Sequence, residues 1–177
     1  MLAVVLRVLS ALVGRLSWGA LGPLGGIVGW LAGSVLRIRR AHVEGAMRAA
    51  GIGDAARQAR AMYRSLGVSA MEILWLAKRG TAAVDHVAID PGSSGPWQRA
   101  IGLRRGVVIA VSHTGNWDLA ACATAGSIEL CVVTKRLSVR SLDRFWQSTR
   151  ARQGIELVDP QGALSTGRVA LARGAAV

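Results

Sequence analysis

Acidic, cysteine, lysine and aromatic residues are all scarce in this 177-residue chain. The spacing of Cys122 and Cys131 fits neither a metal site nor a disulfide framework, so we predict two buried thiols. Aromatic residues make up only 5% of the chain and no nucleic-acid-binding signature occurs, which argues against nucleic acid as a partner. With Lys78 and Lys135 as its lysines, the chain takes its net charge of +12 almost entirely from arginine. Arginine binds phosphate and carboxylate bidentately, so we expect anionic lipid head groups or an acidic protein as partners.

Apolar residues dominate the composition. They account for 51% of the chain, charged residues account for 18%, and the mean hydropathy is +0.36. This is more apolar than an average soluble domain and indicates contact with a membrane. The length suits one compact domain, or a small core with an appendage.

Residues 16–36 contain no charged side chain, and arginines flank them on both sides. The length is sufficient to cross a bilayer, but six glycines and Pro23 disfavour a single regular helix. Three interpretations stay open: one transmembrane anchor, a pair of membrane-dipping helices bent around Gly22 and Pro23, or a helical hairpin packed on the protein itself. We favour membrane attachment.

The clearest helix is predicted over residues 55–79. Asp54 is a suitable N-cap, and Gly80 is a suitable terminator. Apolar residues recur at intervals of three and four, the spacing of one buried helix face. The predicted face consists of Ala59, Met62, Tyr63, Leu66, Ala70, Ile73, Leu74 and Ala77.

From about residue 81 onwards, short apolar runs alternate with helical stretches. Strands are predicted at 84–89, 106–111, 129–134 and 155–158, with a fifth beginning at 174–177. A turn is predicted at 91–96, and helices are predicted from there to 103 and at 117–125, 141–153 and 162–173. This alternation predicts an α/β fold with a mainly parallel sheet and covering helices, preceded by an N-terminal membrane-associated helical region. Because the chain stops where a fifth strand begins, we expect it to be truncated at its C-terminal end.

A histidine and a carboxylate flank the turn between the second strand and its helix. His113 follows the strand, and Asp118 follows five residues later, with Gly115 and Asn116 suiting the turn between them. Positions five apart on a helix lie about 140° apart, so the pair converges only if His113 lies in the turn. In open α/β folds, ligands bind at this end of the strands. A histidine base, an orienting carboxylate and helix amides suit acyl transfer to a hydroxyl. The alternative is a histidine and an aspartate that merely cap a helix.

The stretch VVIAVSHTGNWDLAA resembles the His-x4-Asp/Glu block of the lysophospholipid acyltransferase superfamily. It is most similar to the branch of lipid A biosynthesis lauroyl and myristoyl acyltransferases. The glycine-rich start, the Arg64-Ser-Leu-Gly segment with Glu72, and the stretch from Val132 to Gly154 resemble further parts of that branch. The family's usual Arg-Pro pair is replaced here by Lys135 and Arg136.

The resemblance implies the chemistry. His113 would be the general base and Asp118 its orienting acid, while Gly115, Asn116, Lys135, Arg136 and Arg150 would bind substrate. The donor would be an acyl-carrier-protein or CoA thioester, and the acceptor a lipid A precursor or related glycolipid. Acylation of another polar lipid (a lysophospholipid or an inositol mannoside) and a non-catalytic membrane-binding fragment are the alternatives. No metal or organic cofactor is implied.

The same resemblance implies a location and a division of the chain. We expect the cytoplasmic face of the bacterial inner membrane, a helical membrane-associated region at 1–80 and an incomplete acyltransferase core at 81–177. The family's later blocks would lie beyond residue 177, so whether residues 1–177 are active alone is left open. The basic helix at 141–153 is either a solvated face or a landing surface for a phosphorylated glycolipid or an acidic carrier protein.

Overall fold

A computed structural model of the chain describes residues 1–80, 85–112 and 114–177. Helices dominate this part of the chain. They are α1 (Leu2–Val13), α2 (Trp18–Trp30), α3 (Arg40–Ala49), α4 (Ala55–Arg79), α5 (Pro91–Gly102), α6 (Trp117–Ala125), α7 (Arg140–Arg152) and α8 (Ala163–Ala172). A π-helical turn at Leu31–Val35 extends α2, and a short 3-10 helix at Pro160–Gly162 precedes α8. The strands are β1 (Leu130–Val133) and β2 (Ile155–Val158).

The chain divides into two compact units. One unit contains Met1–Ser10 and Leu76–Val177, and the other contains Ala11–Trp75. Helix α4 therefore begins in one unit and ends in the other. The predicted membrane-associated role of residues 1–80 and the predicted role of residues 81–177 as an acyltransferase core stay predictions.

Helix α4 confirms the clearest prediction from the sequence. The Asp54 side chain accepts a hydrogen bond from the Arg57 amide at 3.1 Å, and Gly80 ends the helix with a φ of +65°. Ala59, Tyr63 and Ile73 are buried as predicted, whereas Leu66 and Ala70 are exposed. The predicted face was wrong at these two positions because the helix buries Gly67 there instead, and a glycine carries no apolar signal.

In the unit formed by Ala11–Trp75, glycines allow α2 to pack closely against α4. A Cβ added to Gly25 would lie 2.7 Å from the Val68 amide nitrogen, and one on Gly29 would overlap the Tyr63 carbonyl oxygen. From the other side, a Cβ on Gly67 would overlap the Gly25 carbonyl oxygen. The two backbones are therefore in direct contact, which only glycine permits. This contact accounts for the glycines at positions 25 and 29 of α2.

Of the three interpretations of residues 16–36, the pair of helices bent around Gly22 and Pro23 is wrong. Helix α2 continues through both residues. The change of direction comes later, where Trp18–Val35 and Arg40–Ala49 are related by an angle of 89°. Among the described residues, no single helix has the length and hydropathy to cross a membrane, although this bent pair meets both criteria together. Membrane association stays a prediction.

The parallel sheet is smaller than predicted. Strands β1 and β2 pair in parallel, with Leu130 opposite Ile155 and Val133 opposite Val158. The predicted second and fifth strands contribute only isolated parallel bridges, from Val107 to Ala176 and from Ala176 to Leu130. The extended segment at Ala176 thus lies between residue 107 and β1. The described residues are thus mostly helical with a small two-stranded parallel sheet, so the parallel pairing is confirmed, while the expected size of the sheet was wrong.

Two local predictions between residues 85 and 103 were wrong. Residues 85–89 of the predicted first strand do not form a strand, and Val84 lies outside the described residues. The predicted turn at 91–96 is instead the start of α5, with Pro91 in the first helical turn and Asp90 before it. A proline in the first turn needs no amide hydrogen bond and has a helical φ, so the pattern read as a turn equally describes a helix start.

The core of the sheet unit lies between the strands and α8. Cys131, Val158, Ala170 and Ala175 form a buried cluster, against which Val177 packs. At the surface, Arg173 forms ion pairs with Glu129, at 2.7 Å, and with Glu156. This arginine therefore links the residue before β1 to β2 itself.

Candidate active site

The turn before α6 is built by the residue types that the sequence indicated. The Val107 amide donates to the Ala175 carbonyl, and the Ile109 amide donates to the Val177 carbonyl, which fixes the start of the segment. Gly115 has a φ of +62°, a conformation that favours glycine. The Asn116 side chain then accepts from the Leu119 amide at 3.2 Å as the N-cap of α6. The turn thus delivers Asp118 to the first turn of that helix.

Asp118 is a buried carboxylate with two hydrogen-bond donors, one of them charged. Its side chain is 7% exposed, and Oδ1 accepts from Arg150 Nε at 2.7 Å. The same oxygen accepts from the Trp146 indole N–H at 3.2 Å. Both donors come from α7, so Asp118 joins the first turn of α6 to the last two turns of α7.

Arg150 is enclosed on several sides. Its side chain is 7% exposed, and Nη1 donates to the Thr134 hydroxyl at 2.9 Å, just beyond β1. Its guanidinium carbon lies 4.8 Å from the ring centroid of Trp117 and 5.7 Å from that of Trp146. Cation–π attraction to both rings stabilises the buried charge. The guanidinium thus connects α6, α7 and the end of β1.

The buried thiols lie outside the chemistry. Burial, chiefly, and the Asp118 charge together raise the pKa of Cys122 to about 12, against the opposing effect of Arg150. Burial likewise raises the pKa of Cys131. Both side chains are free and buried, as predicted, and the Cys122 thiol is un-ionised near neutral pH. A buried, un-ionised thiol has low nucleophilicity.

A second polar group lies at the N-terminal end of α7, opposite the end that carries Arg150. Asp143 accepts from the Leu137 amide at 2.9 Å, from Gln147 Nε2 at 3.3 Å and from Arg136 Nη1 at 3.3 Å. The Leu137 amide hydrogen bond is the main cause that holds the pKa of Asp143 below its usual range, and Gln147 and Arg136 act in the same direction against the effect of burial. Asp143 therefore fixes the loop after β1 against α7.

A pocket of about 250 Å³ lies where β1 and β2 end, beside α7. Thr134 lines it and also holds Arg150, so the pocket adjoins the Asp118 pair. Leu157, Val158 and Ala151 supply apolar lining, and Arg136 supplies a cation. Ligands bind at this end of the strands in open α/β folds, so the location suits a substrate.

The predicted site residues fall into separate groups. Asp118 and Arg150 are in direct contact, while Gly115 and Asn116 shape the adjoining turn. Lys135 is exposed, and Arg136 is 70% exposed and paired with Asp143. His113 lies outside the described residues, and substrate contact by the other residues stays a prediction.

Sequence reasoning missed the roles of Trp146 and Thr134. Trp146 and Arg150 are four residues apart on one helix, so they share a face, and this spacing was the available signal. Thr134 carried no signal, because its contact with Arg150 depends on how β1 meets α7. In residues 1–80, 85–112 and 114–177, no group of three His, Cys, Asp or Glu side chains is placed to hold a metal ion.

Comparison with known families supplies the context for this site. The family described as bacterial lipid A biosynthesis acyltransferase matches residues 6–177, which is nearly the whole chain. No curated protein matches the chain. The match includes the turn, Asp118, Arg150 and both strands, and it supports acyl transfer onto a lipid precursor. This chain therefore belongs to the bacterial lipid A biosynthesis acyltransferase family.

Proposed function

We propose that this protein transfers a fatty acyl group from an acyl-carrier-protein or CoA thioester to a hydroxyl of a lipid A precursor or related glycolipid. His113 is the proposed base, and Asp118 is its proposed orienting acid. The observation that carries the proposal is the buried Asp118 carboxylate in the first turn of α6, five residues after a histidine and inside the matched region. A carboxylate in such a position stabilises the imidazolium that forms when histidine accepts a proton.

The proposed reaction proceeds by direct attack. His113 removes the proton of the acceptor hydroxyl while its oxygen attacks the thioester carbonyl carbon, giving a tetrahedral oxyanion. We propose amides at the N-terminus of α6 as donors to that oxyanion, since helix N-termini favour negative charge. The carbon–sulfur bond then breaks, and the thiolate takes the proton from His113. The products are an ester and a free thiol.

The proposed location is the cytoplasmic face of the bacterial inner membrane. Its support comes from the second unit, where Leu24, Ile27, Leu31 and Val35 are exposed along the α2 helix and its extension. The neighbouring Arg37 and Arg39 are exposed as well. Exposed apolar side chains next to arginines suit a surface of anionic lipid.

Two variants of the complete gene product test the reaction. His113→Ala and Asp118→Asn are expected to lower kcat by about 10²- to 10⁴-fold, the usual contribution of a general base and its orienting group. The assay follows labelled acyl groups from carrier-protein and CoA thioesters onto a lipid A precursor, a lysophospholipid and an inositol mannoside. His42→Ala is the matched control, because His42 is exposed and outside the site. Retention of acyl transfer in His113→Ala would show that the proposed base is wrong.

A further inference from the structure

We propose that Arg150 is a positioning residue for Asp118, an inference that rests on the proposed function. Its guanidinium holds the Asp118 carboxylate through Oδ1 and so fixes the plane of the carboxylate. The Trp146 indole N–H also approaches Oδ1. Without these two hydrogen bonds, the Asp118 carboxylate would be free to rotate about its side-chain torsions.

The first support is the way Arg150 divides its donors. Nε donates to Asp118 at 2.7 Å, and Nη1 donates to Thr134 at 2.9 Å. These two donors belong to one rigid plane, so fixing Nη1 at the end of β1 fixes Nε as well. A lysine at this position would offer a single ammonium with no such plane.

The second support is the burial of the pair. Both side chains are 7% exposed, and a charge so buried requires a partner because desolvation is costly. Trp117 and Trp146 lie against the guanidinium at 4.8 and 5.7 Å. Two aromatic rings and two hydrogen bonds therefore restrict Arg150 to one orientation, and Asp118 with it.

The role of Arg150 separates from the substrate-binding role that the resemblance implies. A substrate contact contributes chiefly to KM, whereas an orienting contact contributes chiefly to kcat. Arg150 is the cation paired with Asp118, and the neighbouring Cys122 thiol, whose pKa is raised to about 12, is neutral near pH 7. Removing the Arg150 charge is therefore expected to alter the pH profile of the base.

The main test compares Arg150→Met with Arg150→Lys in steady-state kinetics. Arg150→Met is expected to lower kcat by about 100-fold with KM within about twofold, since loss of an orienting partner costs about 10- to 100-fold. The acidic limb of the pH–kcat profile of this variant is expected to move to higher pH, because losing a nearby cation raises the pKa of the base. Arg150→Lys keeps the positive charge but loses the planar pair of donors. Its kcat is therefore expected to fall by about tenfold, while the acidic limb of its pH–kcat profile stays at the wild-type pH.

Two gentler variants keep the test informative if Arg150→Met fails to fold. Trp146→Phe removes the N–H donor but keeps a ring, and Thr134→Val removes the anchor of Nη1 at nearly equal volume. Each is expected to lower kcat by about three- to tenfold without moving the pH limb. Arg173→Met is the matched control, because Arg173 pairs with Glu129 and Glu156 away from Asp118. Its kcat is expected to equal that of the wild type.

The outcomes separate the inference from the proposed function. A rise in KM for Arg150→Met with kcat unchanged would overturn the positioning role in favour of substrate contact. Wild-type kcat in both Trp146→Phe and Thr134→Val would also overturn it. If the wild type transfers no acyl group to any acceptor, the proposed function fails, and the positioning role that rests on it fails with it. If His113→Ala and Asp118→Asn both lower kcat by about 10²- to 10⁴-fold and the four variants behave as expected, both proposals are supported.

Discussion

A single carboxylate, Asp143, fixes the loop after β1 to the start of α7. It accepts hydrogen bonds from the Leu137 amide and the Gln147 side chain and also pairs with Arg136. Replacing the carboxylate by a neutral amide removes the charge and turns one acceptor into a donor. We therefore expect Asp143→Asn to loosen residues 134–139, the segment that borders the pocket.

The sign of the pH effect follows from the lowered pKa of Asp143, caused chiefly by the Leu137 amide hydrogen bond. The stabilisation is complete above the ordinary pKa of 3.8 and is lost as the pH falls through the lower folded value. Asp143→Asn is thus expected to lower the urea midpoint at pH 7. The difference between the wild-type and variant midpoints is expected to narrow below about pH 4. Asp90→Asn is the control, because the exposed Asp90 side chain does not cap α5. A constant difference from pH 7 to pH 3 would contradict the prediction.

At the scale of the elements, the glycines of α2 lie in two different environments. A Cβ on Gly29 would overlap the backbone of α4, whereas a Cβ on Gly22 of the same helix would meet nothing within 4 Å. The same substitution at these two positions therefore tests the backbone contact directly.

We expect Gly29→Ala and Gly22→Ala to change the free energy of unfolding in opposite directions. Gly29→Ala forces the helices apart and is expected to destabilise the protein by about 1–3 kcal/mol or more. Gly22→Ala is expected to stabilise it by up to about 1 kcal/mol, since alanine has the better helix propensity. Urea denaturation followed by circular dichroism measures both. Equal midpoints for the two variants would show that the α2–α4 contact contributes nothing to stability.

The helices and strands differ in how well their sequences predicted them. The predicted helix at 117–125 is α6 to the residue, and the predicted helix at 141–153 is α7 shifted by one residue. Helical hydrogen bonds join neighbours in the chain, so local periodicity is sufficient. The predicted strand at 106–111 forms only a bridge at Val107, because a strand depends on a partner distant in sequence.

At the scale of the whole molecule, the charge of +12 and the exposed apolar residues lead to a prediction about vesicles. The protein is expected to co-sediment with vesicles that contain anionic phospholipid, more strongly at low salt than at high salt. Replacing Arg37 and Arg39 by glutamine is expected to weaken low-salt binding by about fivefold per arginine.

The apolar contribution has its own variants. Replacing Ile27 and Leu31 by serine is expected to weaken binding at both salt concentrations, because apolar burial is not screened by salt. Leu164→Ser is the matched control, since Leu164 is exposed on α8 in the other unit. If the wild type co-sediments neither at low salt nor at high salt, the result would count against the membrane proposal.

The sequence by itself determined the local features of this protein: the helix over α4, the turn at Gly115 and Asn116, an acid at the start of α6, and the family resemblance. Only the tertiary structure decided which partners those features meet. Asp118 pairs with Arg150, 32 residues away, and Ala176 lies between Val107 and β1. Periodicity states which face of an element is buried, but it does not state against what. That choice depends on packing between distant segments, where a glycine, a tryptophan N–H or a threonine hydroxyl matters only once its neighbour is in place.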